Sequence, residues 1–113
     1  MRIRNVLQEY EAKLEPPPES PFPSSRAKAE WKVYENGTRQ CKVSVSKLDL
    51  PDGTILELIL EDRRIAKLTV QNSIARYKQE SELGQIVPVV GVNQILQVMY
   101  DGKVILAGRL YSE

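Results

Sequence analysis

The sequence predicts an all-β fold, and three observations carry that reading: regularly spaced turn residues, short apolar runs between them, and alternation within the runs. The turns are marked by Asn36-Gly37, Leu50-Pro51-Asp52-Gly53-Thr54, Asp62-Arg63-Arg64, Gln71-Asn72-Ser73, Gly91-Val92-Asn93 and Asp101-Gly102. The runs are rich in Val, Ile, Leu, Thr and Tyr. This spacing over 27–113 predicts an antiparallel Greek-key sandwich of about seven strands, immunoglobulin- or fibronectin-like.

The first strand, Ala27 to Tyr34, sends Ala27, Ala29, Trp31 and Val33 one way and Lys28, Glu30, Lys32 and Tyr34 the other. Asn36-Gly37 reads as a two-residue hairpin turn, because both central residues of a type I′ turn need positive φ. The second strand places Cys41, Val43 and Val45 inward. Further strands are expected over Thr54 to Glu61, Ile65 to Val70, Ile74 to Lys78, Gln94 to Tyr100 and Lys103 to Tyr111, with Asp101-Gly102 closing the last hairpin. The longest connections, Lys47 to Gly53 and Gln79 to Asn93, are the natural crossings. Each contains a proline (Pro51, Pro88) that has no place in mid-sheet.

The N-terminal part differs. Ile3, Val6, Leu7, Tyr10 and Leu14 fall on one face at helical spacing, so 1–14 is expected to form a short amphipathic helix. Five of the seven prolines then fall within 15–26, read as an extended linker, with Phe22 placed to pin it to the β domain.

The totals exclude several classes of chemistry. The 113 residues carry 16 Lys and Arg against 15 Asp and Glu, a net charge of +1, without the basic excess of a nucleic-acid binder. There is no His, hence no imidazole base, metal ligand or pH switch, and a single Cys allows neither an internal disulfide nor a cysteine zinc site. No catalytic, cofactor-binding or metal-binding residue is expected. With no signal-like or membrane-spanning stretch in the sequence, the expected setting is cytoplasmic.

Leu48-x-Leu-Pro-Asp-Gly-Thr54, Ser81-x-x-Gly84, Val87-Pro88-x-Val90 and Gly102-x-x-Ile-Leu-x-Gly108 resemble a pattern of small, uncharacterised bacterial β-sandwich domains. The resemblance covers about residues 29 to 110. It implies fold alone, because its motifs are turns and core positions.

Individual residues read mostly as architecture. Cys41, in an inward register between valines, is a buried small side chain, and Trp31 is core. Arg63, Arg64 and Lys67, with Arg76 and Lys78, make a modest basic patch that Glu57, Glu61 and Glu80 neutralise. Asp49, Asp52 and Asp62 lack the spacing of a calcium loop. The later strands are apolar on both faces. Ile55, Ile59, Ile95, Met99, Ile105 and Tyr111 form a second apolar face, and with the helix stripe they exceed what a monomer usually leaves wet. The expected function is therefore a non-catalytic interaction module, homodimeric or binding another protein. The alternative is a ligand-binding domain, for instance for carbohydrate, using Tyr34, Tyr77 or Tyr111 as stacking surfaces.

Overall fold

The computed structural model describes residues 5–113. Among them are nine strands, one turn of 3-10 helix at Ser81–Leu83, and no α-helix. The strands are β1 (Val6–Leu14), β2 (Arg26–Tyr34), β3 (Arg39–Ser46), β4 (Ile55–Leu60), β5 (Arg63–Gln71), β6 (Ile74–Glu80), β7 (Ile95–Tyr100), β8 (Lys103–Arg109) and β9 (Tyr111–Ser112). They form one antiparallel sheet in the order β8-β7-β4-β5-β6-β3-β2-β1-β9, nearly closed into a barrel. All the strands expected between Ala27 and Tyr111 are present. Two further strands raise the number to nine.

The first of these corrects the expected N-terminal helix. Residues 6–14 run as a strand against β2, with Leu14 opposite Ala27, Ala12 opposite Ala29 and Tyr10 opposite Trp31. Ile3 lies outside the described residues. Tyr10, Ala12 and Leu14 alternate toward the interior, a period of two that coexists with the helical spacing of the larger side chains. Pairing decides between the two periods. As a strand, residues 6–14 satisfy the free edge of β2 and bury Leu14 completely, whereas a lone helix of this length is marginal in water. The second addition is β9, which leaves β8 at Leu110 and pairs with Tyr10 and Glu11 of β1.

Together these two strands draw the barrel shut. The Glu15 N–H donates to the Ala107 carbonyl at 3.0 Å and the Ala107 N–H returns a bond to Glu15 at 2.9 Å. The core filling this barrel is built from Trp31, Leu14, Leu48, Leu56, Leu58, Leu60, Leu68, Leu96, Leu106 and Leu110, all essentially inaccessible to water. Ala12, Ala29 and Cys41 are the small inward residues around Trp31, leaving room for the indole.

Both long connections cross an end of the barrel. Residues 47–54 pass from β3 to β4 at the end where β1 leads into the proline-rich segment. They bury Leu48, while Phe22 packs against Tyr100 at 6.3 Å between ring centres and Ser20 donates to the Ile105 carbonyl at 3.1 Å. The proline-rich segment folds through two turns, Ser20 to Pro17 and Ser25 to Phe22, instead of running extended. Residues 81–94 pass from β6 to β7 across the opposite end and plug it with Val87 and Val90.

The hairpin turns are only partly those expected. Asp101-Gly102 has positive φ at both central residues, and so do Glu61-Asp62 and Asn72-Ser73 without any glycine. At Asn36-Gly37 only the glycine is left-handed. The Gly37 N–H bonds back to Tyr34 and Tyr34 bonds to Thr38, a longer loop with a glycine bulge in place of a two-residue turn.

Candidate functional site

The flank formed by β4, β7 and β8 holds most of the second apolar face. Ile55 and Ile59 on β4, and Ile95 and Met99 on β7, point outward; Ile55 is exposed and the other three are half-buried. Ile105 does not join them. Leu106 pairs with Val98 and Val104 with Met99, leaving Ile105 as the extra residue of a bulge, turned into the core and fully buried. Tyr111 lies apart, on β9 beside Glu11.

Around Tyr111 the charges are tightly arranged. The Lys28 ammonium stands 3.1 Å from the buried Glu11 carboxylate and 3.3 Å from Glu30. A hydrogen bond from the Glu113 carboxyl, followed by the Lys28 contact, holds Glu11 below the usual carboxylate range, and the same contact with Glu11 raises Glu113. Burial, then the charges of Glu11 and Glu113, push the Tyr111 phenol up.

The three candidate stacking tyrosines do not share a surface. Tyr34 is buried and its hydroxyl donates to the Gln40 side chain at 2.9 Å, Tyr77 packs on the core, and Tyr111 alone is exposed. Asp52 and Asp62 sit at opposite ends of the barrel, and the Asp52 carboxylate accepts the Asn72 N–H at 2.8 Å, a turn contact. Among the described residues no three His, Cys, Asp or Glu side chains converge as a metal site. Cys41 is buried, which pushes its thiol up to about 12.

The surface that sequence reasoning missed is the end closed by 81–94. Leu83, Ile86, Val89 and Val92 recur every third residue and are 70%, 85%, 71% and 50% exposed, while Val87 and Val90 between them are buried. A period of three matches neither the helix nor the strand template, so this stretch reads in the sequence only as a proline-containing crossing. Val6 and Leu7, at the start of β1, are exposed at the same end. The crossing is held firmly. The Arg39 guanidinium donates twice to the Val87 carbonyl at 3.2 and 3.1 Å, the Arg39 N–H donates to Ser81 Oγ at 2.7 Å, and the Gln85 and Gln94 side chains accept the Glu80 and Gly91 N–H groups.

The basic residues also group differently from the sequence reading. On β5, Arg64 pairs with Glu57 at 3.3 Å and Lys67 lies opposite Glu57. Arg76 and Lys78 belong to β6, whose long neighbour is β3. They therefore face Ser44 and Lys42.

These features define a small nearly closed β-barrel with one aliphatic end and one basic flank. No protein-family model matches the chain, and no curated protein matches it. No helix among the described residues is long and apolar enough to cross a membrane.

Proposed function

We infer that this chain is a non-catalytic assembly module that associates with a second copy of itself through the barrel end closed by 81–94. The observation that carries the reading is the row Leu83, Ile86, Val89 and Val92, four aliphatic side chains exposed on a connection pinned by Arg39. Monomers rarely leave aliphatic side chains grouped this way in water, and removing them from it contributes about 25 cal/mol per Å² before association entropy is subtracted. A pinned segment also loses little conformational freedom on docking. The outer face of β4 and β7, with Ile55, Ile59, Ile95 and Met99, is the second surface available to the same assembly.

Sedimentation equilibrium on the intact chain and on Ile86→Lys/Val89→Lys tests the reading. The expected result is a dimer that becomes monomeric in the double variant, which still unfolds cooperatively with the β-sheet circular dichroism of the wild type, since both side chains are outside the core. A monomeric wild type at high concentration overturns self-association. A dimer that survives the double variant but is lost in Ile55→Lys moves the interface to the β4 and β7 face.

A further inference from the structure

We propose that the outer surface of β2, β3 and β6 is a binding site for a small soluble molecule carrying two or more phosphate groups. Pairing the strands in the order β2-β3-β6 places Lys42 between Lys78 and Glu30, and Ser44 between Arg76 and Lys28. These residues and Glu30 line a shallow groove of about 380 Å³ on the flank of the barrel.

Charge makes this groove unlike the rest of the molecule. Lys28, Lys42, Arg76 and Lys78 stand against Glu30 in the lining and Glu11 beside Lys28, four positive charges to two negative, or +2 locally, in a chain whose net charge is +1. Glu30 and its neighbour Glu11 are both occupied by Lys28, at 3.3 and 3.1 Å. Among the described residues Lys42, Arg76 and Lys78 have no ion-pair partner. Like charges directly opposite on neighbouring strands repel, so the Lys42–Lys78 pair is relieved by an anion seated over it.

The donor set fits phosphate. The Arg76 guanidinium offers a planar fork, the two lysines offer point charges, and the Ser44 hydroxyl stands between the rows. Neighbouring strands about 5 Å apart and alternate residues about 7 Å apart along each strand spread these donors over more than one phosphate group. The ligand therefore carries at least two. The groove lies on the barrel's flank and is independent of the aliphatic end.

The test is calorimetric titration of inorganic tripolyphosphate into the intact chain at two salt concentrations, with backbone amide shifts recorded by NMR. The expected result is binding that weakens as salt rises, with shifts confined to β2, β3 and β6. Lys42→Gln/Lys78→Gln weakens it by about tenfold or more and Arg76→Gln by several-fold, while Lys67→Gln, on β5 opposite Glu57 and outside the groove lining, leaves it unchanged. All these side chains are exposed, so a melting temperature that does not fall certifies each variant. Absence of binding at millimolar tripolyphosphate overturns the proposal. So does undiminished binding by the double variant, or an equal loss in Lys67→Gln, which would reduce the effect to net charge.

Discussion

Gly108 on β8 faces the backbone of Lys13 on β1 so closely that a Cβ there would collide with the Lys13 carbonyl oxygen and stand 3.2 Å from the Leu14 Cα. The contact lies at the seam, next to the Glu15–Ala107 hydrogen bonds that draw the barrel shut. What fills the space is backbone, which cannot swing away as the end of a flexible side chain would. This glycine has no positive φ, so its role is close approach and not turn geometry.

Gly108→Ala is therefore expected to force the seam apart and destabilise the chain by about 1–3 kcal/mol, the range of overpacked sites. Gly91→Ala is the matched control, because a Cβ at Gly91 meets nothing within 4 Å among the described residues and its φ is ordinary. Urea midpoints of the two variants check this, and equal midpoints would show that the seam yields freely.

Trp31 is the largest side chain of the core, and among the described residues its indole N–H finds no hydrogen-bond partner. Trp31→Ala is expected to cost about 3–5 kcal/mol, a large share of the ~5–15 kcal/mol that holds a domain together. Trp31→Phe keeps most of the packing and removes the orphaned donor, so its cost should be well under half of the alanine value, roughly 1–2 kcal/mol. Equilibrium urea unfolding of both variants separates the packing contribution from the polar one.

How far the fold was legible follows from where its signals lie. The alternation Ala27-Ala29-Trp31 and Cys41-Val43-Val45 is local, so it read directly as two paired strands with their core faces. The same holds for the Asp101-Gly102 hairpin. β1 was illegible because Ile3, Val6, Leu7, Tyr10 and Leu14 satisfy a helical period while Tyr10, Ala12 and Leu14 satisfy a strand period. Only the open edge of β2, a non-local fact, chooses between them. Closure has the same character: Gly108 looks like any strand glycine until Lys13 is placed against it. Ile105 misled because a bulge shifts the parity of its strand, and nothing in Val104-Ile105-Leu106 marks the shift. On the surface, Arg76 and Lys78 were visible as basic residues, but their partnership with Lys42 depends on β6 pairing along β3. The aliphatic end escaped because Leu83, Ile86, Val89 and Val92 follow a period of three.

The Glu61-Asp62 turn joins β4 to β5 with φ of 45° and 70°, values that suit glycine better than either residue present. The left-handed conformation costs an ordinary L-residue about 1–2 kcal/mol, offset by about 0.5–1 kcal/mol of extra unfolded-state freedom that glycine must lose. Asp62 is the position to change, because the Glu61 carboxylate accepts the Ile95 N–H at 3.0 Å and ties the turn to β7. Asp62→Gly should stabilise the chain by about 0.5–1 kcal/mol, whereas Glu61→Gly should gain less, since it gives up that bond. Thermal melts of the pair decide whether turn strain or the Glu61 contact dominates.

Cys41 lies in β3 opposite Trp31, fully buried, and burial moves its thiol from an ordinary value of 9.0 to about 12. A thiol reagent at pH 8 should label the native chain only at the rate of global unfolding, and stoichiometrically once denaturant is added. The same shift links stability to pH. Below pH 9 the thiol is protonated in both folded and unfolded chains and contributes no pH dependence. Between pH 9 and about 12 the unfolded chain loses this proton while the folded chain keeps it, so unfolding is favoured by about 1.4 kcal/mol for each unit of pH. Stability should therefore fall across that window, and the fall should be shallower by this slope in Cys41→Ala, which retains every other titrating group. Urea midpoints measured from pH 8 to 11 for both proteins give the comparison. Parallel curves would mean that the thiol ionises as readily in the folded chain as in the unfolded one, contrary to its place beside the indole.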